Sequence, residues 1–211
     1  MTKIRGFKVL FVASVVGLGL GSCGSATQFT DIWKAPDAGV IHAKKLLAVC
    51  LTADETMRRM GEEELLRELP KSVEGVASYT LLDQNQVRDL DYAKARIKEQ
   101  GFDIAITMRG VGTDVKQTYV PGNYVSAPYG SYYGSYWGYH GYAWPSVYEP
   151  GYMQATKYVM VETCIYSVPD DKLLWSGRSQ TADPSSISQL VREIAGEARK
   201  ILISQGLVPK R

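Results

Sequence analysis

The sequence predicts an α/β domain: β-α-β-α-β, then a β-hairpin and a C-terminal amphipathic helix, on a mixed sheet of about five strands. Three observations carry this. Apolar runs of strand length alternate with stretches that bear helix start and stop signals. A turn at Pro169-Asp170-Asp171 separates two further strand-like runs. The segment after Asp183 then keeps the i, i+3, i+4, i+7 spacing of a helix with one apolar face.

In order along the chain, Gln28 to Trp33 has the makings of a short strand, broken off by Pro36, Asp37 and Gly39. Lys45 to Leu51 is a near-continuous apolar run, as in a strand covered on both faces. Thr52-Ala53-Asp54-Glu55 fits a capping box, with the Thr52 hydroxyl taking an orphan N–H and Glu55 reaching back. The helix it opens should reach about Glu68 and stop before Pro70. Gly75 to Leu82 reads as the second strand. Asp89 or Asp91 can cap a helix running through Gln100, with Gly101 as its C-terminal stop. Phe102 to Met108 is the third strand, and this order gives parallel strands with right-handed crossovers. Lys157 to Val168 and Leu173 to Thr181 form the hairpin. Asp183-Pro184 opens the last helix, with aspartate at the N-cap and proline in the first turn. Ile187, Leu190, Val191, Ile194, Ala198, Ile201 and Leu202 make its stripe, and Gly206 ends it.

One stretch stands apart, an insertion at about 115–156. Between Tyr119 and Tyr152 lie ten of the fourteen tyrosines, Trp137, Trp144 and six glycines, with Glu149 the only charged residue. Forty-odd residues without strong periodicity are long for a loop in a compact domain, and such loops are functional or unstructured. Tyrosine and tryptophan give stiff contact area with a polar tip at low entropy cost. Tyr129, Tyr132, Tyr133, Tyr136, Trp137, Tyr139, Tyr142 and Trp144 are the candidate interaction residues. The competing expectation is an idle flexible loop whose tyrosines partly cover the sheet.

The first 22 residues read as a targeting segment. Lys3, Arg5 and Lys8 precede an uncharged apolar run, Val9 to Leu20, too short to span a bilayer. The run ends in Leu20-Gly21-Ser22-Cys23, which resembles the lipobox of bacterial lipoproteins. The resemblance implies cleavage after residue 22 and a diacylglyceryl thioether and further acylation (palmitate) on Cys23. Because Gly24 and not aspartate follows Cys23, it also implies an outer-membrane location facing the periplasm. The expected organisation is a signal peptide at 1–22, a tether and lead-in at 23–41, and one domain at 42–211. Removing three cations and no acids takes the charge from +2 (24 − 22) to −1 (21 − 22).

That balance, with no Lys or Arg from 117 to 156, excludes nucleic acid, because single-strand binders combine stacking aromatics with a cationic groove. Two histidines, His42 and His140, far apart and without a Cys-x-x-Cys pair, offer no metal site. No cofactor motif is present: Gly110-Val111-Gly112 is not a dinucleotide fingerprint and fits a bulge or a bend into the insertion. No serine sits on a glycine elbow. Glu62, Glu63 and Glu64 read as a solvated helix face, and Glu162 either faces solvent on an edge strand or pairs across the hairpin with Arg178, the favoured reading. With Cys23 acylated, Cys50 and Cys164 form an even pair in an oxidising compartment, which invites a disulfide. Both lie in apolar runs, where a free thiol serves as a small hydrophobe.

The element order, the Tyr/Gly insertion and three short motifs resemble a group of uncharacterised Tyr/Gly-rich bacterial envelope lipoproteins. The motifs are Ile32-Trp33-Lys34-Ala35-Pro36, Ser78-Tyr79-Thr80-Leu81-Leu82 and Asp171 to Gly177. In outline the domain is also similar to the N-terminal domain of the Tol-system propeller protein and to the curli secretion lipoprotein, an analogy of fold alone. The group brings no catalytic residues. The function expected is a lipid-anchored, non-catalytic binding or assembly module. Its partners would be the membrane through the anchor and another envelope protein or a glycan. The alternative is an envelope enzyme, glycan-directed, with a carboxylate site.

Overall fold

The computed structural model describes residues 26–122, 134–148 and 151–210. The elements are β1 Thr27–Lys34, β2 Lys45–Leu51, α1 Glu55–Arg67, β3 Glu74–Ala77, α2 Ser78–Leu81, α3 Leu90–Gln100, β4 Ile104–Val120, α4 Tyr136–Tyr148, β5 Tyr152–Ser167, β6 Lys172–Ala182 and α5 Ile187–Ser204. The strands form one mixed sheet in the order β1-β6-β5-β4-β2-β3. β2 pairs in parallel with β3 and β4, and β5, β6 and β1 add antiparallel. The expected α/β class and mixed sheet are present. A sixth strand appears because the lead-in segment pairs with β6 from Thr27↔Thr181 to Lys34↔Trp175. Cys23, Tyr129, Tyr132 and Tyr133 lie outside the described residues.

The apolar run of β2 divides between two cores, as a strand covered on both faces requires. Leu46 and Ala48 face α1 and α5, packing with Ile104, Ile165, Trp175, Ile194 and Leu202. Leu47 faces the other way, toward Phe102, Leu81, Leu82 and the apolar side of α3 at Ala93 and Ile97. Trp175, fully buried, meets Phe29 edge-to-face at 5.7 Å. Gly177 makes room for this pair: a Cβ there would stand 2.6 Å from the Trp175 ring and 2.7 Å from Phe29.

Several local signals hold. Asp89 is the N-cap of α3, accepting from the N–H groups of Asp91 and Tyr92, and Gly101 closes the helix at φ 64°. Asp171 turns the hairpin at φ 50°. The β4–β5 register shifts between Gly110 and Gly112, the bulge expected of that pair.

Other signals are overridden. Thr52 does not cap α1. Asp54 does, accepting from the Met57 N–H, while the Thr52 hydroxyl accepts from the Asp54 N–H at 3.2 Å. Asp183 does not cap α5. Its carboxylate accepts the Lys157 N–H at 2.8 Å, which ties the end of β6 to β5, and Ser186 is the cap. The run Gly75 to Leu82 is not one strand: β3 stops at Ala77 and the chain turns into α2. The cause is a carboxylate on α1, described below.

Candidate functional site

β4 and β5 run well past their neighbours. β2 ends opposite Arg109, and β6 ends at the pair Tyr158↔Ala182. From Val115↔Lys157 to Val120↔Tyr152 the two strands form a ribbon with no further strand partner among the described residues. At ~3.3 Å per residue this ribbon extends ~20 Å beyond the sheet. The ends of the expected insertion are therefore ordered arms. An isolated two-stranded ribbon is marginal in water, and this one has local supports. The Lys116 ammonium lies 4.9 Å from the centre of the Tyr158 ring. Tyr119 packs over Gly151, where a Cβ would collide with the phenol. Val115, Tyr119, Tyr152 and Met153 are exposed along it.

The chain between the arms contains α4, a helix absent from the sequence reading. Two glycines, Gly138 and Gly141, and Pro145 within thirteen residues argue against a helix by propensity. Ser135 starts it, its hydroxyl accepting the Gly138 N–H at 3.0 Å and its carbonyl the Tyr139 N–H at 3.1 Å. Aromatic rings then meet edge-on or tilted along the helix. Tyr136 and Trp137 lie 5.1 Å apart, Trp137 and His140 5.9 Å, His140 and Trp144 5.5 Å. The spacing 137, 140, 144 was the available signal, an i, i+3, i+7 aromatic stripe behind a capping serine. The helix carries no Asp, Glu, Lys or Arg. Four of its aromatics are exposed, Trp137 at 77%, Tyr136 at 68%, Trp144 at 51% and Tyr139 at 46%. Of the candidate interaction residues, Tyr136, Trp137, Tyr139 and Trp144 thus share one helix; of Tyr142, in the same helix, only the backbone is described.

The glutamate run on α1 is not a solvated face. Glu63 is exposed, but Glu62 and Glu64 are 0% and 2% accessible. Glu62 Oε1 accepts from the Cys50 N–H (3.0 Å), the Ser78 hydroxyl (2.6 Å) and Arg58 Nε (3.3 Å), and Oε2 accepts the Tyr79 N–H (2.9 Å). Arg58, also buried, donates onward to Ser78 Oγ (2.8 Å) and Gln84 Oε1 (2.7 Å). This explains the early end of β3. The last β2–β3 pair is Ala48↔Ala77, and from there Glu62 takes the next free N–H of β2 and the first donors of α2. With four donors and no solvent contact, Glu62 is a strut between α1, β2 and α2, not a proton-transfer group. Burial raises the Glu64 carboxyl, and bonds from Arg192 and Arg67 outweigh that and hold it below its ordinary value.

The pairing of Glu162 with Arg178 is also corrected. The two are opposite in register, but the Glu162 carboxylate accepts from Arg109 on β4 at 2.7 Å, and Arg178 faces Asp31 on β1 at 4.0 Å. In an antiparallel sheet a central residue has a neighbour on each side, and local pattern does not choose between them. Cys50 and Cys164 are free thiols. Cys50 shares a sheet face with Met108 and Thr163, while Cys164 shares the opposite face with Thr107, and β4 separates their strands. Burial, with Glu62 nearby, pushes the Cys50 thiol up to about 12. Cys164 is raised too, again mainly by burial.

No group of three potential metal ligands occurs among the described residues. In three of the cavities on the described part of the domain, taken together, one carboxylate, Glu68, is among the lining residues. No described helix is long and apolar enough to cross a membrane.

No family model and no curated protein matches the chain. Among solved structures it is similar to the PelC dodecamer from Paraburkholderia phytofirmans. One crystal form is 9% identical over 87% of this chain and 99% of that one, with a TM-score of 0.41. A point variant of the same protein is 11% identical over 87% and 100%, at the same TM-score. Likeness at that level carries no conclusion about this chain.

Proposed function

We propose that this protein is a lipid-anchored envelope lipoprotein, held through Cys23 in the outer membrane facing the periplasm, that acts as a non-catalytic binding or assembly module. Its contact element is α4, presented on the β4–β5 arms toward another envelope protein or a glycan. One observation carries the reading: a helix without a single charged side chain that leaves two tryptophans and two tyrosines about half or more exposed. Exposed rings of this kind are the residues that anchor interfaces, since each buries a large area and loses little rotamer freedom. Rings already held on a helix lose less freedom on binding than rings on an unstructured loop. An anchor with two or three acyl chains holds such a module at a membrane stably, where one chain would not. The proposal fits the group of envelope lipoproteins that the sequence resembles.

The test is in-cell photocrosslinking from positions 137 and 144, paired with a variant in which Pro121 to Pro150 is replaced by a two-residue turn. Discrete crosslinked products that vanish with the shortened arm support the proposal. Products unchanged by the deletion, or crosslinks no stronger than from an exposed position on α3, refute it. Cys23→Ala should move the protein out of the membrane fraction; retention there would refute the anchor.

A further inference from the structure

The face of the sheet under α1 and α5 is not closely filled. The two helices pack on each other, and on the sheet α1 packs mainly against β2 and β3 and α5 against β1 and β6. Over the central strands β4 and β5 lies a cavity of about 540 Å³. Its lining is apolar and includes Ile106, Met108, Ile165, Ala195 and Leu202. Ile106 is the telling residue. It sits mid-sheet between Ala48 and Ile165 on the helix-covered face, where a close-packed core would seal it, yet it is only half-buried.

A second, independent observation concerns Thr163, which lines the same space and is 4% exposed. Its hydroxyl is the one buried side-chain polar atom without a hydrogen-bond partner among the described residues. Native interiors satisfy such groups, and here no side chain crosses the space to reach it. The rim supplies a third. Lys44 and Arg199 stand there against one acid, Glu68, with His42 beside them, and none of these three charged groups forms an ion pair among the described residues. An apolar interior of ligand-pocket size, ~300–1,000 Å³, with a cationic rim selects for a molecule that is greasy along its length and anionic at one end.

We propose that this cavity binds a single-chain anionic amphiphile of the long-chain fatty-acid class. Its acyl chain lies over Ile106 and Ile165, and its head group sits at the rim beside Lys44 and Arg199. The site is separate from α4 and does not depend on the role assigned to that helix.

The test uses the full chain in lipid nanodiscs, labelled with a palmitate analogue that bears a diazirine in its tail and mapped by peptide mass spectrometry. Saturable adducts are expected on β4 and β5 in the peptides that contain Ile106 and Ile165, suppressed by excess palmitate and not by palmityl alcohol. Ala195→Phe and Ile106→Phe fill the cavity and should each cut those adducts by about tenfold or more. Circular dichroism shows which variant keeps the fold; Ala195 lies at the less buried edge and is the safer of the two. Reversing Lys44 and Arg199 to glutamate should lower labelling several-fold while leaving the fold intact. Adducts only outside the cavity, or labelling unchanged in a folded filling variant, would overturn the site. Equal suppression by the alcohol would overturn the anionic ligand.

Discussion

Replacing Glu62 is the sharpest test of how this domain is held together. In Glu62→Ala, Arg58 keeps its buried place but loses its counter-charge, and the Cys50 and Tyr79 N–H groups lose their acceptor. Breaking a buried ion pair from one side costs about 3–5 kcal/mol. The two orphaned backbone donors sit in the same site, and each unsatisfied buried group adds ~1–3 kcal/mol unless water enters. Relaxation around Gln84 and Ser78 will recover part of this, so a net loss of ~4 kcal/mol is expected, a large share of the ~5–15 kcal/mol that stabilises a domain. Glu62→Gln keeps an oxygen that can serve Oε1's three donors and loses the charge and the Tyr79 bond, so it should cost roughly half as much. Glu63→Gln, one residue away and exposed, should change stability by no more than ~0.5 kcal/mol. The assay is urea unfolding followed by circular dichroism, compared at the midpoint with the slope checked for constancy. A Glu62→Ala loss below about 1 kcal/mol, or a Glu63 effect equal to it, would refute the assignment of Glu62 as the strut.

Three further outcomes follow from the same structure. Asp103 accepts the N–H groups of Lys45 and Lys44, which hold its carboxyl below the ordinary value. A carboxyl depressed in the folded state adds stability above its unfolded value of ~3.9 and loses it as pH falls. The stability gap between wild type and Asp103→Asn should therefore be full near neutrality and shrink in acid; a gap that widens in acid contradicts this. Under native alkylation Cys164 should react before Cys50, whose thiol stands at about 12, and mass should not depend on reductant once thiols are blocked. A Cys50–Cys164 bond would contradict the register of β2, β4 and β5. Gly177→Ala should cost ~1–3 kcal/mol by pressing a methyl into Trp175 and Phe29, read from the urea midpoint, and an unshifted midpoint would mean the aromatic pair has room to spare.

Much of the fold was legible because it is written in short-range pattern. The apolar run of β2, the Asp89 and Gly101 ends of α3, the Asp171 turn and the stripe of α5 each depend on residues a few positions apart. The chain order β-α-β-α-β then left few sheets open to it. Where a local signal misled, a longer-range partner had claimed the residue. Asp183 is a sound N-cap by type, but it binds the Lys157 N–H across the hairpin instead. Gly75 to Leu82 has strand composition throughout, but Ser78 and Tyr79 turn away to meet Glu62.

The aromatic stretch divides the same way. Its composition alone marked it as the unusual stretch of the chain. Its arms and the helix that gathers Trp137, His140 and Trp144 came only with the structure, since glycine and proline weigh against helix in any window. The glutamates show the limit most plainly. Successive helix residues point about 100° apart, so three adjacent glutamates cannot share one environment. Sequence places all three on α1; only the packing of α1 against β2 and α2 decides that Glu62 turns inward to four donors, Glu63 to water and Glu64 to Arg192.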